Sequence, residues 1–134
     1  MDNIDWSKIK DSYVGFEKLA YEFVTKKFPN SSGWTHSQAT HDNNRDAYTI
    51  IFGYQPYAAS PEQWWMEAKY STKSQRLSRY RLDATIVSAI LSKNVTKVIF
   101  VTNVVISAKV MLDIRSALMN AIGCKNVYFF LSIL

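Results

Sequence analysis

Gln63-Trp64-Trp65-Met66-Glu67-Ala68-Lys69 is the stretch on which the reading of this chain turns. Three bulky residues run into a carboxylate, an alanine and an ammonium. A short apolar run of this kind, preceded by Pro61 and followed by polar residues, reads as a buried strand. Side chains two apart on a strand share a face. Glu67 and Lys69 are therefore expected side by side, with Ala68 turned into the packing. Trp64 and Trp65 must point to opposite faces, so at least one of them belongs to the core. Upstream, Asp46 opens a second strand-like run that continues through Ala47, Tyr48, Thr49, Ile50 and Ile51 to Phe52. Pairing the two runs as a hairpin is expected to bring the Asp46 and Glu67 carboxylates close enough to share one cation. Two carboxylates and a lysine at one sheet edge outline a site for a metal ion and a phosphate.

Working outward, Phe16, Leu19, Ala20, Phe23 and Val24 recur at helical spacing between Tyr13 and Phe28. Pro29-Asn30 ends that helix. Ser31 to Asn44 is polar loop, with room for a short strand from Trp34 to Gln38. Gly53 to Pro61 holds glycine, prolines and serine, and connects the second and third strands. Beyond a basic stretch, Leu82, Ile86, Ala89 and Ile90 mark a helix to about Ser92, which Asn94 is expected to break. Lys97 to Thr102 is a continuously apolar strand after its first residue, which predicts an interior, parallel position. Ser107 reads as the N-cap of a helix that Gly123 stops. Val127 to Leu134 is a last apolar strand. The order α-β-β-β-α-β-α-β predicts an α/β fold with a central mixed sheet flanked by helices.

The bulk properties fit one domain spanning residues 1–134. With 48% hydrophobic and 20% charged residues, the 134-residue chain has enough apolar material to fold. A net charge of +5 favours a polyanionic partner. The single cysteine, Cys124, excludes an internal disulfide and a cysteine-rich zinc site, and suits a reducing cytoplasm. No activating base or helix N-terminus is apparent beside it, so a structural role is expected. His36, His41 and Asp42 are a weak zinc signal and are read as possible substrate contacts. The first ten residues are polar and mixed in charge, unlike a signal peptide, and no apolar run approaches the roughly 20 residues that span a membrane. Because the chain stops inside an apolar run, a piece of a longer protein is expected.

Phe16-Glu17 in the first helix, Asn43-Asn44-Arg45-Asp46 before the second strand, and Trp64 to Lys69 closing the third together resemble the PD-(D/E)xK nuclease superfamily. Within it the chain is most similar to the Mrr-like restriction endonuclease branch. The resemblance covers roughly Tyr13 to Thr102. It departs from the pattern in having Arg45, not proline, before Asp46, and asparagines where glycines are common. It implies a restriction-endonuclease-like α-β-β-β-α-β core. It also implies a metal-dependent endonuclease that hydrolyses DNA phosphodiester bonds as a restriction or anti-phage defence effector. Asp46, Glu67, Lys69 and Glu17 are then the catalytic set. Asp46 and Glu67 are expected to hold Mg²⁺, for which Mn²⁺ can substitute, and the Ala68 carbonyl is implied as a further ligand. Lys69 would hold the attacking water or a phosphate oxygen, and Glu17 would orient the metal's water or bind a second ion.

A basic cluster follows: Lys73, Arg76, Arg79 and Arg81, with Tyr70 and Tyr80 interleaved. Such residues neutralise phosphates without reading sequence. The expected partner is double-stranded DNA, bound by a homo-oligomer with no membrane involvement. Two other readings remain open. One is a homodimeric Holliday-junction resolvase-like nuclease. The other is a catalytically retired module of the same fold that binds nucleic acid or protein.

Overall fold

A computed structural model describes residues 13–30, 33–36, 47–51, 62–70 and 82–131 of the chain. The elements in order are helix α1 (Tyr13–Lys27), strands β1 (Thr35–His36), β2 (Ala47–Ile51) and β3 (Glu62–Lys69), helix α2 (Asp83–Ser92), strand β4 (Val95–Thr102), helix α3 (Ala108–Ile122) and strand β5 (Asn126–Leu131). The α-β-β-β-α-β-α-β order expected from the sequence is the order found.

The five strands form one sheet in the order β1-β2-β3-β4-β5. β1, β2 and β3 pair antiparallel. β3, β4 and β5 pair parallel. β3 is thus the seam between the two halves of a mixed sheet. β4 has a parallel neighbour on either side, which explains its nearly unbroken apolar run: both of its faces are covered.

Helices cover both faces. On one, Trp65 of β3, Val98 and Phe100 of β4 and Val127 of β5 pack with Leu82, Ile86 and Ala89 around α2 and with Ile114 and Leu118 of α3. On the other, Met66 and Ala68 of β3, Ile99 and Val101 of β4 and Ala47 of β2 pack with Phe16, Ala20 and Val24 of α1. The i, i+4, i+8 spacing of those three α1 residues puts them on one stripe, and all are buried. Of the two tryptophans, Trp65 is fully buried, and its indole N–H donates to Gln63 Oε1 at 2.7 Å. Trp64 lies on the α1 face and is half-buried.

The helix ends follow from local chemistry. Ser107 Oγ accepts the Val110 N–H at 3.2 Å, and Gly123 closes α3 at φ 68°. α2 ends at Ser92, as expected, and the residue that turns the chain out of it is Lys93. Lys93, not Asn94, takes the left-handed conformation at φ 67° and returns its N–H to Ala89. A non-glycine residue there costs about 1–2 kcal/mol. The tight entry into β4 offsets it: Val95 begins the strand, and the Asn94 carbonyl accepts the Gln63 N–H of β3 at 2.9 Å. No helix among the described residues is long and apolar enough to cross a membrane.

Candidate functional site

Period-two alternation along β3 sends Gln63, Trp65, Glu67 and Lys69 to the face that α2 and α3 cover. Trp64, Met66 and Ala68 go to the α1 face. The side-by-side placement expected of Glu67 and Lys69 is present. Glu67 Oε1 lies 3.3 Å from Lys69 Nζ. Ala68 is fully buried against α1's cluster, as expected.

Glu67 sits deeper than a surface pair would. It is only 4% exposed, whereas the Lys69 side chain is 28% exposed. A carboxylate taken this far from water is costly unless hydrogen bonds and opposite charge replace hydration. Both are supplied. Lys69 meets Oε1, and the Thr85 hydroxyl donates to Oε2 at 2.9 Å. Thr85 is itself buried, in the first turn of α2. That end of a helix carries partial positive charge, which further favours a nearby anion. Beside Lys69 in the β3–β4 register stands buried Thr102, whose Oγ1 accepts the Val104 N–H at 3.2 Å. The pair therefore lies at the C-terminal end of two parallel strands, where the chain turns out of the sheet.

On the other side of β3, Ala47 is the register partner of Met66. The strand that follows Asp46 in sequence is thus aligned with the residue just before Glu67. Asp46 itself lies outside the described residues, as do His41, Asp42, Lys73, Arg76, Arg79 and Arg81. Glu17 is half-buried on α1, the helix of the opposite face from Thr85. Its neighbour Phe16 packs on Tyr70 with ring centroids 5.3 Å apart, so α1 approaches the chain just beyond Lys69. His36 belongs to β1, is exposed, and its ring lies 4.8 Å from that of Tyr21. Among the described residues no three His, Cys, Asp or Glu side chains cluster as metal ligands. Cys124 is buried, and burial pushes its thiol pKa up against a weaker opposing hydrogen bond to the Asn126 carbonyl.

Thr85 is the member of this constellation that reading the sequence passed over. Its signal was present. Leu82, Thr85, Ile86 and Ala89 fall at helical spacing, so Thr85 is a hydroxyl on the stripe that faces the sheet. A buried polar group needs a partner, and Glu67 is one.

Compared with protein-family models, with curated proteins and with solved structures, the chain finds no match.

Proposed function

We propose that this chain is a metal-dependent endonuclease domain of the PD-(D/E)xK type, with a restriction-endonuclease-like core, cutting DNA as a restriction or anti-phage effector. The observation that carries this reading is the buried Glu67 carboxylate 3.3 Å from the Lys69 ammonium at the C-terminal end of β3. The pairing of β2 with β3 adds to it, because it aligns Ala47 with Met66 and so favours Asp46 as the second carboxylate. So does the sheet order, antiparallel up to β3 and parallel after it.

Mg²⁺ takes oxygen ligands, needs only one or two protein carboxylates and keeps several waters. Glu67 beside a partly exposed lysine fits that demand, so a third clustered carboxylate is not required. Glu67 and Asp46 would hold the ion, with the Ala68 carbonyl as a further ligand. When bound, the ion polarises the phosphate and lowers the pKa of the attacking water. The residues' own part is positioning and charge. The Lys69 ammonium, 3.3 Å from Glu67 Oε1, would donate to the attacking water or to a phosphate oxygen. Glu17, half-buried on α1, would orient the ion's water or help hold a second ion. Lys73, Arg76, Arg79 and Arg81 hold the DNA backbone, and two copies of the chain present two sites to the two strands.

One observation favours the retired-module reading. Both oxygens of Glu67 are engaged, by Lys69 and Thr85, in a nearly closed environment. The two readings part in one experiment. Supercoiled plasmid is incubated with the chain and Mg²⁺ over a range of protein concentrations, and Mn²⁺ affinity is measured by calorimetry. The nuclease reading expects nicking that Glu67→Ala abolishes together with metal binding. DNA binding without metal affinity in the wild type would instead establish the retired module.

A further inference from the structure

Glu67 and Thr85 are 18 residues apart, yet their buried side chains meet at 2.9 Å. A glutamate has three side-chain torsions that set where its terminal oxygens lie. The hydrogen bond from α2 fixes Oε2 on one side of the carboxylate, while Lys69 of the same strand meets Oε1 on the other. The Thr85 hydroxyl has one proton to donate and Glu67 Oε2 accepts it, while Oε1 is turned to the ammonium. The β-branched side chain of Thr85 is confined mainly to two rotamers in a helix, which limits where its donor can go. Ile86 and Ala89, on the same stripe, anchor α2 against Trp65 and its neighbours.

We infer that Thr85 is a positioning residue for the metal site: its hydroxyl commits Glu67 Oε2 to the protein and presents Oε1 to the cation. This rests on the nuclease reading above. It assigns α2 a role in that site. A hydrogen-bonding partner of a ligating carboxylate typically changes metal affinity by about 10- to 100-fold when removed.

The test compares wild type, Thr85→Val, Thr85→Ser and Glu67→Ala for Mn²⁺ affinity by calorimetry, with thermal unfolding recorded for each. Thr85→Val keeps the shape and removes the donor. It is expected to bind Mn²⁺ about 10- to 100-fold more weakly. Thr85→Ser keeps the donor and is expected to restore most of the affinity, even if its unfolding midpoint falls for want of the methyl. A purely structural role would give the reverse order, with Mn²⁺ affinity tracking thermal stability. Wild-type affinity in a folded Thr85→Val, with binding abolished in Glu67→Ala, would overturn the inference and leave the nuclease reading standing. If Thr85→Val does not fold, Thr85→Ser decides alone, since wild-type stability without metal affinity contradicts a role for the hydroxyl. Absence of Mn²⁺ binding in the wild type would remove the nuclease reading and the inference together.

Discussion

Two lysines on adjacent strands of one sheet live in opposite electrostatic worlds. Lys69 ends β3 on the α2 face, partly exposed, against a buried carboxylate. Lys97, near the start of β4, lies on the α1 face above aromatic rings, with Nζ 3.7 Å from the ring centroid of Trp64 and 4.9 Å from that of Phe28. Ring faces attract a cation by about 0.5–2 kcal/mol. Burial works the other way and lowers the Lys97 pKa. Lys97 is therefore a packing solution: its stem covers aromatic surface and its charge is tolerated. The charge of Lys69 and the Thr85 hydroxyl are among the supports that let Glu67 be buried. Lys69 pairs with a carboxylate, whereas among the described residues Lys97 has no ion pair.

The strongest way to break this contrast is Lys69→Ala. Loss of a preorganised positive donor is expected to cut metal-dependent DNA cleavage by about 10²- to 10³-fold. The protein should stay folded and still bind Mn²⁺, because Glu67 remains. Plasmid cleavage and calorimetry on the same preparations check both halves. A cleavage rate equal to wild type would reduce Lys69 to the kind of lysine that Lys97 is.

Lysines and arginines that neutralise phosphates should behave differently from either. Replacing Arg76, Arg79 and Arg81 together by alanine is expected to weaken DNA binding on every sequence. The slope of log affinity against log salt should shrink by about one for each phosphate that is no longer neutralised. An unchanged slope in a binding titration would mean that the basic stretch does not touch the backbone.

The smallest effects are on stability. Lys69→Met strips the ammonium from a buried carboxylate and is expected to cost about 1–3 kcal/mol. Lys97→Met keeps the stem over the rings and is expected to change stability by no more than about 1 kcal/mol. Chemical denaturation of the pair measures the difference, and equal losses would erase the contrast. The pH dependence sharpens it. Lys97 titrates below its ordinary value of 10.5 in the folded chain. Between that lowered value and 10.5 the unfolded chain binds more protons, so wild-type stability gains a contribution as pH rises through the window. Below the window the cost of the buried charge is fully present. Any margin of Lys97→Met over wild type should therefore shrink as pH climbs towards 10.5.

Much of the fold was legible because it rests on short-range rules. The apolar stripe of α1, the Ser107 and Gly123 caps of α3 and the unbroken apolar run of β4 each declare themselves within a few residues. The Glu67–Lys69 pair was legible for the same reason, since a strand's alternation needs no knowledge of what lies across it. The stop of α2 at Ser92 was legible, but the residue that makes the turn is Lys93 and not Asn94. Asparagine is the better left-handed residue, but the start of β4 at Val95 places the bend at Lys93.

By itself, then, the sequence determined the succession of elements, their buried faces and the adjacency of one carboxylate and one ammonium. These follow from backbone periodicity and from capping groups within a turn of the residues they cap. Only the tertiary structure decided that α1 lies on the opposite face from α2 and α3, that Thr85 reaches Glu67, and that Lys97 rests on Trp64, Phe28 and Tyr128. Each of those depends on strand register and on which face a crossover covers. Segments distant in the chain settle both together when they bury a common apolar surface, and no local pattern encodes that choice.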